Sequence, residues 1–150
     1  MEFDSVDAVL DFAIENEQGA SDFYTELASK MERPHMQTIF EGFAAEERGH
    51  KAKLEAVKAG KKVMLSKAKV LDLKVGDYLV EEKPSASMDY QSALILAMKQ
   101  EKAAFRLYSD LAASADDREI RELFLGLAQE EAKHKLHFEV EYDEDFLREN

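Results

Sequence analysis

Two segments of this chain set a carboxylate and an imidazole at a spacing that suits metal coordination. They are Glu47-Arg48-Gly49-His50 and Glu131-Ala132-Lys133-His134. Each reads Glu-x-x-His. Residues three apart on a helix share a face, one turn above the other, so the pair can hold one metal ion from one side. One such pair is common by chance. Two pairs at a fixed repeat distance, each inside an apolar helical stripe, carry far more weight.

The elements that position these pairs follow from hydrophobic periodicity. Asp4 or Ser5 can cap a first helix, which Pro34 ends no later than Arg33. Its seam is Leu10, Ala13, Glu17, Ala20, Tyr24, Leu27 and Met31, in alternating steps of three and four. A second helix starts at Pro34 and runs to about Ala59, with Gly60 as its stop. Its seam is Met36, Phe40, Phe43, Glu47, His50, Leu54 and Val57. A third helix begins between Ser87 and Tyr90, with the seam Leu94, Ala97, Glu101, Ala104, Tyr108, Leu111 and Ala115. Asp116 and Glu119 form a capping-box pattern that opens a fourth. Its seam is Ile120, Phe124, Leu127, Glu131, His134 and Phe138. The acidic tail from Glu141 to Asn150 reads as frayed.

A shift of 84 positions, the separation of His50 from His134, superposes the two halves without a gap. Leu10 meets Leu94, Glu17 meets Glu101, Tyr24 meets Tyr108, Phe40 meets Phe124, and Glu47 meets Glu131. The fold class expected is therefore all-α: an antiparallel four-helix bundle of two repeated helical hairpins with one long crossover, forming one domain over residues 1–150. Residues 61–86 hold no single apolar stripe and make that crossover, with a short helix expected near Asp77 to Glu81. The basic run Lys61, Lys62, Lys67 and Lys69 reads as a solvated face.

Six ionisable residues thus occupy positions reserved for core: Glu17, Glu47, His50, Glu101, Glu131 and His134. An unpaired buried carboxylate costs several kcal/mol, and a domain is stable by only about 5–15 kcal/mol. Protonation, buried cationic partners or bound metal could each offset that cost, but no seam position holds Lys or Arg. Two divalent cations balance four carboxylates, and neutral imidazoles complete the coordination. Oxygen ligands with two nitrogens and no sulfur suit iron or manganese; zinc and cobalt are also compatible. Tyr24 and Tyr108 lie two turns after Glu17 and Glu101. Either they are core aromatics whose hydroxyls find some partner, or they donate to a ligating carboxylate. Glu46 and Glu130 should face away from the seam, and His35 and His137 read as surface. Phe12, Phe23, Phe105 and the six Met read as core or interface filler.

Composition narrows the function classes. Hydrophobic residues make up 45% and charged residues 35%, with a net charge of −12. Such a balance argues against nucleic acid and anionic membrane surfaces as partners. The absence of Cys excludes disulfides, thiolate metal sites and a Cys nucleophile. The opening Met1-Glu2-Phe3-Asp4 does not read as a signal peptide, and no apolar run approaches the ~20 residues of a membrane helix, so a cytoplasmic location is expected.

The motifs Glu17-x6-Tyr24, Glu47-x2-His50, Glu101-x6-Tyr108 and Glu131-x2-His134 resemble those of the ferritin-like di-iron carboxylate proteins, the rubrerythrin group most closely. The resemblance spans nearly the whole chain. It implies two metal ions, Fe foremost with Mn or Zn as alternatives. It also implies bridging carboxylates from Glu47 and Glu131, more terminal ligands from Glu17 and Glu101, one His on each ion, and a homodimer. The implied activity is that of a rubrerythrin-like peroxidase or oxidase toward hydrogen peroxide or dioxygen. Rubrerythrins proper append a Cys-ligated iron domain; this Cys-free sequence would need an external electron donor such as a rubredoxin-type protein. They also place an extra carboxylate one turn from the third-helix Glu, where this chain has Ala97, Met98, Ala104 and Phe105. Two rivals share the site: oxidation and handing-on of Fe(II), and a bundle in which metal only staples the core.

Overall fold

Ser5 starts the first helix. Its backbone is extended, and its hydroxyl accepts from Ala8 N at 2.9 Å, satisfying one of the orphan donors of the first turn. The computed structural model describes residues 1–60 and 64–147, the last of these by its backbone alone. Helix α1 runs Val6–Lys30 and helix α2 runs Pro34–Gly60. The short link between them makes an antiparallel hairpin, as the turn at Pro34 requires. Leu10, Ala13, Glu17, Tyr24 and Leu27 of the expected α1 seam are buried, with Ala20 and Met31 half-buried at its margin. Every expected seam residue of α2 is buried except the half-buried Phe43. Lys58 Nζ donates to Asp11 Oδ1 at 2.6 Å, clasping the open end of the hairpin and holding the ammonium pKa above its usual value.

The chain divides into two compact units, Phe3–Asp72 and a second formed by Met1–Glu2 with the residues from Leu73 onward. A short helix, α3 (Lys67–Leu71), belongs to the first unit and packs on α1 through the buried Val70. The helix expected at Asp77 to Glu81 does not form. Ser66 caps α3 instead, accepting from Lys69 N, and only a 3-10 turn, Val75–Asp77, follows. The residues after it form no regular element up to the next long helix, α4 (Tyr90–Ala113), and side chains tie this stretch to that helix. Tyr78 donates its hydroxyl to Asp110 Oδ2 at 2.6 Å, Arg106 pairs with Asp77 at 3.3 Å, and Lys99 pairs with Glu82. Lys67 and Lys69 are exposed, as a solvated face requires; Lys61 and Lys62 lie outside the described residues.

Asp89 caps α4, accepting from Ser92 N at 2.8 Å, a bond that holds its carboxyl below the usual range. Helix α5 (Arg118–Tyr142) is capped by Asp117, not Asp116. Asp117 carries the extended backbone of a cap, and its Oδ2 accepts from Ile120 N at 3.2 Å. Glu119 therefore falls in the first turn, where its charge complements the helix dipole. All six expected seam residues of α5 are buried, as are those of α4 apart from the half-buried Ala104.

The chain after Glu141 is not frayed as far as residue 147. Glu141 is buried and accepts from Tyr90 at 3.0 Å, Gln91 donates to the Tyr142 hydroxyl at 2.9 Å, and a π-helical turn covers Asp143–Leu147. The Phe146 ring sits 6.1 Å from that of Tyr90 and 5.3 Å from that of Tyr142. Residues 148–150 lie outside the description. Phe23 is buried and Phe12 half-buried, but Phe105 is 42% exposed and is not core. The described residues contain no strand, only an isolated bridge between Glu2 and Lys74, so the all-α expectation holds.

The Tyr78–Asp110 bond yields a pH prediction. Burial, then the adjoining carboxylate, push the phenol pKa above its ordinary 10.0. The folded state therefore binds this proton more tightly than the unfolded state. The resulting stability is complete below pH 10 and is lost as pH climbs through the raised value. Tyr78→Phe should lower unfolding free energy by about 1–3 kcal/mol at neutral pH. In urea titrations across alkaline pH, the gap between wild type and variant should narrow.

Candidate metal centre

Helix α1 carries Glu17 at mid-length, where its stripe turns toward α2 and where aliphatic residues precede and follow it. Helix α2 carries Glu47 and His50 one turn apart on its facing stripe. Their side chains converge. His50 Nδ1 stands 3.5 Å from Glu17 Oε2 and 3.4 Å from Glu47 Oε1. All three residues are buried to within 2% of complete. The second hairpin repeats the arrangement. His134 Nδ1 lies 3.7 Å from Glu101 Oε1 and 3.9 Å from Glu131 Oε1, with none of the three more than 3% exposed. Within each triad one ligand atom per residue falls within 4.8 Å of the others.

These separations decide what the triads can do. Metal–ligand bonds of about 2.1 Å set neighbouring ligand atoms roughly 3 to 3.5 Å apart. The two His50–carboxylate distances of the first triad match that spacing, and those of the second are a few tenths of an ångström longer. The facing atoms Glu17 Oε2, Glu47 Oε1 and His50 Nδ1 do not meet in hydrogen-bond geometry, nor do Glu131 Oε1 and His134 Nδ1. One ligand atom of each residue nonetheless stands within 4.8 Å of the others, close enough to share an ion. The donor set is two carboxylates and one imidazole per hairpin, which fits a divalent first-row metal. In each triad the imidazole presents Nδ1, so Nδ1 is the nitrogen available to an ion.

The other residues singled out by sequence fall as follows. Tyr24 and Tyr108 are buried in their seams. The Tyr24 ring lies 6.2 Å from that of Phe43, and the Tyr108 ring 6.3 Å from that of Phe124. His35 is exposed and His137 half-buried, and neither joins a triad. Glu46 is exposed and Glu130 half-buried, so both turn away from the seam. Sequence reasoning missed one pair. Ser21 is buried one turn beyond Glu17, and its hydroxyl accepts from Arg48 Nη1 at 3.1 Å. A break in the internal repeat marks them, since the matching positions hold Phe105 and Ala132.

Among the described residues no helix is long and apolar enough to cross a membrane. No functionally curated relative matches the sequence. Two solved structures share the fold. One, from Thermotoga maritima, is described as a ferritin-like diiron-carboxylate protein; it aligns at a TM-score of 0.78 and 18% identity, covering 96% of this chain and 98% of that one. The other is a hypothetical protein from Pyrococcus furiosus, with a TM-score of 0.70, 25% identity, and coverage of 93% and 89%. The fold is thus a ferritin-like helical bundle. The Rubrerythrin family model matches residues 8–142, nearly the full length, and with its two buried Glu/Glu/His triads this chain belongs to the rubrerythrin family.

Proposed function

We propose that this protein is a redox-active di-iron or di-manganese carboxylate oxidoreductase that reacts with hydrogen peroxide or dioxygen, one ion being held by each triad. The observation that carries the proposal is the twofold burial of Glu/Glu/His with converging ligand atoms in a rubrerythrin-family chain. When bound, the metal pair supplies the two electrons that reduce the oxidant.

The chain's own residues supply the rest. Glu17 and Glu47 in one hairpin, and Glu101 and Glu131 in the other, bring charge to the ions. His50 and His134 add neutral nitrogen through Nδ1. Apolar residues occupy the same seams on either side of each triad: Ala13, Phe40 and Leu54 in the first hairpin, Ala97, Phe124 and Phe138 in the second, all essentially inaccessible to water. That dry setting strengthens every charge interaction inside it. Tyr24 and Tyr108, two turns along from Glu17 and Glu101, are assigned as hydroxyl donors that orient the ligating carboxylates. Electrons then come from an external donor of the rubredoxin type.

Reduced, iron-loaded protein titrated with peroxide and then with oxygen tests the function. Repeated turnover with an external reductant is expected. Single-turnover oxidation followed by iron release would point to iron handling, and an inert metal would leave only a structural staple.

The same reading predicts an inversion in stability. In metal-free protein, Glu17→Gln or Glu101→Gln removes one buried charge and should raise unfolding free energy by about 1–3 kcal/mol. Each variant should also lose one of the two ions per chain. Calorimetry and metal analysis of the same samples check both effects.

A further inference from the structure

Resting on the metal-centre assignment above, we propose that Ser21 and Arg48 form a polar port that receives a small hydrogen-bonding oxidant or anion at the Glu17/Glu47/His50 triad. Ser21 follows Glu17 by four residues, about 6 Å along α1, on the same face. It is only 2% exposed. Arg48 follows Glu47 directly and is exposed. Its Nη1 donates to Ser21 Oγ at 3.1 Å, so one hydrogen bond joins a surface guanidinium to a buried hydroxyl one turn from the triad.

Both groups keep unused donors. The Ser21 oxygen accepts from Arg48, which leaves its own proton to donate. Among the described residues it makes no other hydrogen bond, and Arg48 makes no ion pair, although the chain carries a net charge of −12. A guanidinium has five N–H donors, of which this contact uses one. The guanidinium is thus held by a neutral hydroxyl rather than by a carboxylate, and most of its donors are left to a ligand. Its geometry suits a small anion or peroxide-like molecule, which would exchange water for a charge-assisted hydrogen bond at the entrance and a hydroxyl further in.

The second hairpin lacks the device. Phe105 stands at the position of Ser21 and Ala132 at that of Arg48. It has cations of its own at Lys102 and Lys133, but both are exposed, and neither is joined to a buried hydroxyl. The two triads are alike in ligands and unlike in access.

Azide titration of the Co(II)-loaded protein, followed optically, tests the port without relying on turnover. Peroxide kinetics on the iron-loaded protein give a second readout. Ser21→Ala and Arg48→Gln should each weaken azide binding and raise the peroxide KM by about tenfold, the size of one lost hydrogen bond to a charged group. Their kcat and their two ions per chain should stay unchanged. Arg48→Lys should recover part of the azide affinity, and Lys133→Gln should match wild type. Unchanged azide affinity and KM in loaded Ser21→Ala and Arg48→Gln would overturn the port alone. If the wild type takes up no Co(II), the port and the metal centre fall together. If azide binding shifts as expected but neither oxidant is turned over, the port stands and the redox assignment fails.

Discussion

Four carboxylates lie in the apolar seams of this protein, two in each hairpin, and the structure depends on what neutralises them. Charge in low-dielectric surroundings repels its own kind and has lost its water. A fold of ordinary stability cannot hold Glu17, Glu47, Glu101 and Glu131 there without compensation. The arrangement makes sense if each pair of carboxylates is matched by a divalent cation and an imidazole completes the donor set. The imidazoles then have a defined task, since Nδ1 of His50 and of His134 faces the carboxylates of its own hairpin. The apolar residues around each triad keep water from competing for the ion.

What positions the triads is ordinary helix chemistry. Ser5, Asp89 and Asp117 cap three of the four long helices. Fixed starts and periodic seams bring Glu17 opposite Glu47 and His50, and Glu101 opposite Glu131 and His134. The repeat is close in the seams and loose outside them. Where it breaks, at Ser21 and Arg48 against Phe105 and Ala132, one hairpin gains a polar connection to its surface and the other does not. A symmetry of ligands thereby coexists with an asymmetry in the polar residues beside them.

Much of this was legible in the sequence because burial leaves a periodic trace. Glu17, Glu47 and His50 stand where the three-and-four spacing demands apolar residues, and the second copy removes coincidence. Details that depend on single hydrogen bonds were not legible. Asp116 and Asp117 offer the same cap chemistry, and only backbone conformation decides between them. The short helix sits at Lys67–Leu71 rather than Asp77 to Glu81 because Ser66 caps it and because Tyr78 is held on α4 by Asp110, a contact 32 residues apart in sequence. Tyr90 and Gln91 bond to Glu141 and Tyr142, and Phe146 packs by Tyr90, contacts that the acidic composition of this stretch concealed. Ser21 and Arg48 leave only a break in the repeat, against Phe105 and Ala132, and the repeat breaks at many positions outside the seams, so their pairing was not legible.

The central claim is that bound cations hold the buried carboxylates in place. Calorimetric unfolding of metal-depleted protein, before and after reloading with Fe(II) under anaerobic conditions, tests it most directly. Binding to the folded state alone must raise stability by mass action. The account predicts uptake of two ions per chain and a melting temperature that climbs with free metal concentration. A melting temperature indifferent to metal, with no ions retained, would contradict it.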